Sequence, residues 1–171
     1  GMYIDISRHC KSCSISQKGT QKGRTQKSKL VPIPKIEVPF SRVEIDFIGR
    51  LPMTEKKNRY ILVLIYYTTR FPEAFLMKNQ DAESVANALI EMFSRVGFPK
   101  EILSDQGTNF MSSLISELCK MLKVRKLSTT PYHPQANGLV ERFNGTLKQM
   151  LKAYAVVEPL KWDVHLPYVL F

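Results

Sequence analysis

Alternation of apolar and polar positions opens the patterned part of the chain. From Val43 to Leu51, Val43, Ile45 and Phe47 fall on one side and Glu44 and Asp46 on the other, the two-residue period of a strand. Tyr60 to Thr68 is a continuous β-branched and aromatic run, as in a strand covered on both faces. Phe71 to Met77 reads as a third strand, and the polar stretch TEKKNR turns the chain between the first two. The period then changes. Asp81 stands as a helix N-cap, and Val85, Leu89, Met92, Phe93 and Val96 share one helical stripe that Gly97 terminates. Glu101 to Ser104 is a short strand leading into the turn Asp105-Gln106-Gly107. Leu114, Ile115, Leu118, Cys119 and Leu122 mark a second helix, Val124 to Ser128 a fifth strand, and about Asn137 to Val157 a long helix broken by Pro159. A further helix begins at Lys161. The order predicts an α/β fold with a mixed five-stranded sheet flanked by helices.

Residues 14–30 show no period. They are polar, basic and Gly-containing, which reads as a linker or arm, and the prolines of VPIPKIEVP favour an extended approach to the first strand. A boundary near residue 38 follows, with an appendage over 1–38 and a folded domain over 39–171. Gly1 ahead of Met2 and an end at Phe171 inside an apolar pattern read as the limits of a fragment. Of the 171 residues, 44% are hydrophobic and 23% charged, enough apolar material for one core. The net charge is +10, and residues 1–29 carry seven Lys or Arg against one Asp. A basic arm on a basic body suits a polyanionic partner such as nucleic acid, or simply a soluble basic protein. The run Ile61 to Tyr67 is too short to span a bilayer, so no membrane partner is expected. Three cysteines make no disulfide framework, and an intracellular, reducing location fits them.

Three carboxylates carry the candidate chemistry. Asp46 lies within an apolar strand, where a carboxylate is costly unless paired or metal-bound. Asp105 ends a strand, where open α/β sheets gather ligands, although Asp before Gln-Gly is often only a turn residue. Glu141 lies in the first turns of the long helix, where a Glu often only complements the helix dipole. At about 100° per residue, Lys148 and Lys152 lie within about 20° of the Glu141 direction. That polar stripe suits a phosphodiester backbone or, alternatively, bulk solvent.

Together these segments resemble the integrase core of gypsy-type LTR retrotransposons and, more distantly, of retroviruses. The matching pieces are VEIDFIGRLP around Asp46, ILSDQGTNF around Asp105 and TTPYHPQANGLVERFNGTLKQML around Glu141, with 35 residues between Asp105 and Glu141. The resemblance covers about 38–171. It implies a ribonuclease H-like fold and two divalent ions, Mg²⁺ or Mn²⁺, held by Asp46, Asp105 and Glu141. It implies a polynucleotidyl transferase with endonuclease activity, in which water trims the element's DNA end and the freed 3′-hydroxyl attacks target DNA. His133, Gln135 and Asn137 in the loop before the helix, with Asn144, Lys148 and Lys152 on it, are the implied DNA contacts. Cys10 and Cys13 look like the second half of the family's zinc site. Four ligands are needed, so zinc is expected only in a longer parent protein, and 1–38 reads as a zinc-domain remnant and linker. The implied partners are double-stranded DNA, both element ends and target, and further copies of the chain on that DNA; the implied location is nuclear. A domesticated or degraded derivative that binds DNA without catalysis, a nuclease of the same fold and an insertion-sequence transposase are the rival readings.

Overall fold

Six consecutive residues, Ile61 to Tyr66, are each 1% exposed or less, so β2 (Tyr60–Tyr66) is covered on both faces. The computed structural model describes residues 1–12, 38–129, 138–155 and 158–170. β1 (Arg42–Ile48) pairs antiparallel with β2, which pairs antiparallel with β3 (Pro72–Met77). On its other side β1 pairs parallel with β4 (Glu101–Ser104), and β4 pairs parallel with β5 (Arg125–Ser128). The sheet order is therefore β3-β2-β1-β4-β5, mixed and five-stranded as expected, with β1 at its centre. β4 coincides with its patterned segment, β2, β3 and β5 are one or two residues shorter than theirs, and β1 begins one residue early at Arg42. β1 stops at Ile48 rather than Leu51, because its ladder with β2 closes at the Ile48–Ile61 pair.

Each face of the sheet carries its own apolar layer. Val43, Ile45, Leu62 and Leu64 pack on one side with Val85, Leu89 and Met92 of α2 (Ala82–Val96) and with Ile115 and Cys119 of α3 (Ser113–Met121). Ile48, Ile61, Val63 and Ile65 pack on the other with Val140, Leu147 and Leu151 of α4 (Gly138–Ala155) and with Trp162 and Leu166 of α5 (Trp162–Val169). The odd and even positions of β2 thus divide between the two layers, as the pleat requires. α5 is tied to the β1–β2 connection. The Trp162 indole N–H donates to the Pro52 carbonyl at 2.7 Å, and buried Asp163 accepts from the Thr54 hydroxyl at 2.9 Å and the Asn58 amide at 2.8 Å. At the start of β4, buried Glu101 is shared by the guanidinium groups of Arg42 and Arg125, which joins three neighbouring strands.

α1 (Met2–Ser12) belongs to a separate compact unit, residues 1–33; the sheet and its helices lie in residues 34–171. The sequence pattern predicted no helix there. Its apolar residues Met2, Tyr3, Ile4 and Ile6 are all exposed, so no buried stripe marks it. Among the described residues, no helix is long and apolar enough to cross a membrane.

α2 begins and ends where the sequence places it. The Asp81 Oδ1 accepts the Ser84 backbone N–H at 2.8 Å, and Gly97 takes a φ of 82°, a left-handed value that favours glycine. The Ser84 N–H is the main cause holding the Asp81 carboxyl below its ordinary value. A carboxyl depressed on folding stabilises above its unfolded pKa, and that stability is lost as pH falls through the folded value. Asp81→Ala is expected to lower stability at pH 7 by about 1 kcal/mol in urea denaturation. The difference between wild type and variant should shrink as pH drops below 3.8; a difference independent of pH would mean that the carboxylate charge plays no part in the cap.

Candidate active site

The parallel register brings the first two carboxylates level. Glu44 of β1 pairs with Leu103 of β4, the last pair of that ladder, and Asp46 and Asp105 each follow two residues later at that end. Adjacent strands lie about 4.8 Å apart, so both acids stand at one end of one strand pair. Asp46 is half-buried. Its Oδ1 accepts the Phe47 backbone N–H and its Oδ2 the Asn144 side-chain amide, each at 2.8 Å. Burial raises its carboxyl above the ordinary value; the Phe47 N–H opposes this, the Asp105 charge adds to it, the Asn144 amide opposes it, and the Glu141 charge adds to it. The charges of Asp105 and Glu141 thus both reach Asp46.

Asp105 is exposed and folds back on its own turn, where its Oδ1 accepts the Gly107 N–H at 2.9 Å. A β-carbon at Gly107 would stand 2.9 Å from that same oxygen, so a larger residue there would displace the Asp105 carboxylate from its present position. Two contacts anchor the turn. Phe110, 2% exposed, stacks on Phe47 at 5.2 Å, and the Gln106 side chain donates to the Thr129 carbonyl at 3.0 Å. Glu141 is exposed in the first turn of α4.

α4 lies along β1 and runs in the same direction. Val140, Asn144, Leu147 and Leu151 form its buried stripe, and Lys148 and Lys152 are exposed with Glu141, as the helical angles predicted. Asn144 corrects the sequence reading. It was expected near the Glu141 face as a DNA contact, yet it is 4% exposed and gives its amide to Asp46. Its Oδ1 has no hydrogen-bond partner among the described residues. His133, Gln135 and Asn137 lie outside the described residues, as does Cys13; Cys10 falls within α1.

One acid of this seam was passed over in the sequence. Glu44 is fully buried, two residues before Asp46 and on the same side of β1. Its Oε2 accepts the Val140 backbone N–H at 3.3 Å, and its Oε1 has no partner among the described residues. Burial pushes its carboxyl up to about 7, against the Val140 N–H and the charges of Arg70, Arg42 and Arg142. The signal was present in the alternation, which gives Glu44 and Asp46 one face; what hid it was that the covering helix lies 96 positions downstream.

Carboxylate oxygens are the hard donors that Mg²⁺ and Mn²⁺ prefer. Asp46 is raised in pKa first by burial and further by two neighbouring negative charges, a setting that a divalent cation relieves. The donor set therefore fits such ions. Among the described residues, no three His, Cys, Asp or Glu side chains are grouped closely enough, as they stand, to hold one.

Sheet order and strand directions define a ribonuclease H-like fold of the integrase type. The profile of the integrase core domain matches residues 37–134, which include Asp46 and Asp105. The chain belongs to the integrase core domain family. It is 36% identical over 144 residues to the retrovirus-related Pol polyprotein from transposon 412 of Drosophila melanogaster, an alignment covering 82% of this chain and 12% of that polyprotein. The chain spans about a tenth of the length of the curated relatives it matches. Among solved structures, a chain of the simian T-cell lymphotropic virus intasome in complex with PP2A regulatory subunit B56 gamma superposes with a TM-score of 0.72 at 23% identity, covering 98% of this chain and 59% of that one. The HTLV-2 integrase catalytic core domain in complex with magnesium superposes with a TM-score of 0.63 at 22% identity, covering 78% and 84%. The resemblance drawn from the motifs around Asp46 and Asp105 to retrotransposon and retroviral integrase cores holds.

Asn144→Ala removes one of the two donors to Asp46. The Asp46 carboxyl is expected to titrate higher still, read by carboxyl-carbon NMR in metal-free buffer, with about 1–3 kcal/mol of stability lost for the acceptor left without its partner. An unmoved titration would mean that the amide does not hold the carboxylate in solution.

Proposed function

We propose that this chain is the catalytic core of a metal-dependent DNA integrase, acting on retroelement DNA ends and on target DNA. The observation that carries the reading is the family match over residues 37–134, which include Asp46 and Asp105; the Asp105 and Glu141 charges, after burial, add to the rise of the Asp46 carboxyl. Asp46, Asp105 and Glu141 are the residues that would hold the ions. Two divalent cations, when bound there, supply activation of the attacking oxygen and neutralisation of charge on the leaving one.

The chain's own residues supply position. Asp46 is oriented by the Phe47 N–H and the Asn144 amide, Asp105 by its turn onto Gly107, and Glu141 by the start of α4. In the first displacement water cleaves a phosphodiester near the DNA end and frees a 3′-hydroxyl. In the second that hydroxyl attacks a target phosphodiester and releases a target 3′-hydroxyl. Both are substitutions at phosphorus, so no Ser, Cys or Tyr nucleophile is required. Lys148 and Lys152, exposed beyond Glu141 on α4, are placed to meet the DNA backbone; His133, Gln135 and Asn137 belong to the same reading through their motif. Residues 1–38 are read as a zinc-domain remnant with a basic linker and 39–171 as the core. The protein acts as a homo-oligomer on DNA in the nucleus, and zinc belongs to a longer parent.

The test is joining of a labelled duplex end to plasmid DNA, beside the reverse reaction on a branched substrate, with Mg²⁺, Mn²⁺ or chelator. Asp105→Asn and Glu141→Gln are each expected to lower the rate by about a thousandfold or more, as for other groups that act as a unit. Metal-dependent cutting without joining would move the assignment to a nuclease. DNA binding by a folded chain with no chemistry in either assay would overturn the enzyme and leave a non-catalytic derivative.

A further inference from the structure

A fully buried carboxyl in the central strand of a sheet is expensive, and among the described residues Glu44 has no salt bridge to offset it. Among those residues it accepts one hydrogen bond, from the backbone N–H of Val140, the third residue of α4. That N–H belongs to the first turn, where backbone donors have no intrahelical acceptor. An apolar residue at 44 would extend the layer of Ile48, Val63 and Leu147 at no desolvation cost. A fold requirement alone therefore does not explain the acid. Its location does, because the residue following Val140 is Glu141.

We propose that Glu44 is a positioning residue, clamping the first turn of α4 through the Val140 amide and so fixing where Glu141 stands relative to Asp46. The inference rests on the catalytic reading above. Glu44 and Asp46 are successive side chains on one face of β1, and they engage α4 at Val140 and Asn144, one helical turn apart. The acid that lacks a strand of its own is thus referred back to the strand that carries Asp46. Glu44 touches neither DNA nor metal in this scheme and acts only through the backbone of α4.

Amide exchange in the wild type reads the clamp without any activity. The Val140 N–H should be protected at least about tenfold over a free amide, the equivalent of one net hydrogen bond. Glu44→Gln keeps an acceptor and should preserve that protection, with reverse-reaction rates within about threefold of wild type. Glu44→Met removes the acceptor at similar volume. Exchange over residues 138–141 should rise about tenfold while the sheet is unchanged and the melting temperature is equal or higher. The Mg²⁺ concentration for half-maximal rate should rise by about 10–100-fold, the usual penalty for losing a partner that orients a metal-binding group.

An unprotected Val140 amide in the wild type overturns the clamp, even if Glu44→Met fails to fold. Equal damage from the Gln and Met substitutions also overturns it, since a carboxyl rather than an acceptor would then be needed. So does activity that merely follows the melting temperature with no change in Mg²⁺ dependence. A wild type without chemistry would sink the integrase reading alone, and Val140 exchange would still decide whether Glu44 holds the helix.

Discussion

The docking of α4 on β1 is the contact on which the site depends. β1 is the central strand, yet its α4-facing side carries two acids, Glu44 and Asp46. The strand's own backbone gives Asp46 one donor, the Phe47 N–H, and gives Glu44 none. α4 supplies one donor to each, the Val140 N–H and the Asn144 amide. The spacing matches: four residues of helix advance about 6 Å and two residues of strand about 6.7 Å. Helix and strand therefore stay in step over one turn, and a slip of one residue along α4 would unpair both acids together. Apolar packing of Val140, Leu147 and Leu151 against Ile48, Val63 and Ile65 drives the contact, while the two polar links set its register.

That seam also explains why the site lies at this end of the sheet. β1 and β4 run parallel, so Asp46 and Asp105 emerge on the same side. The far end, where Arg42, Glu101 and Arg125 join β1, β4 and β5, carries opposite charges that compensate one another. The end that carries Asp46 and Asp105 does the reverse and gathers like charges, two of them adding to burial in raising the Asp46 carboxyl. Compensated charge holds strands together and uncompensated charge leaves capacity for a cation; the two ends divide these tasks.

Much of this was legible in the sequence, for identifiable reasons. Period-two alternation and the doubly apolar run of β2 fix strands, and Asp81 and Gly97 are caps whose chemistry is local. The three acids could be named because each sits at a recognisable juncture: strand interior, strand end and helix start. Glu44 was missed because alternation tells which side a residue takes but not whether that side is covered. Asn144 was misassigned for a related reason. It lies three residues after Glu141, about 60° away around the helix, on the border between the exposed and buried stripes. Only the packed position of β1 decides which it joins. Helix α1 left no trace because its apolar residues bury nothing within the described structure.

The three acids differ in how firmly they are held, and that difference locates the weak point of the site. Asp46 has both oxygens engaged and is partly desolvated, so its geometry is set before anything binds. Asp105 has one oxygen tied into a turn that Phe110 anchors. Glu141 is exposed on a long side chain at the first turn of a helix, where intrahelical hydrogen bonding is incomplete. Metal-assisted substitution at phosphorus tolerates little error in the placement of its donors. The least restrained acid must then draw its precision from whatever holds the start of α4. Within the described residues the direct polar link from that turn to the sheet is the bond from Val140 to Glu44. A buried carboxyl that weakens the core is a reasonable exchange for a helix start that does not wander.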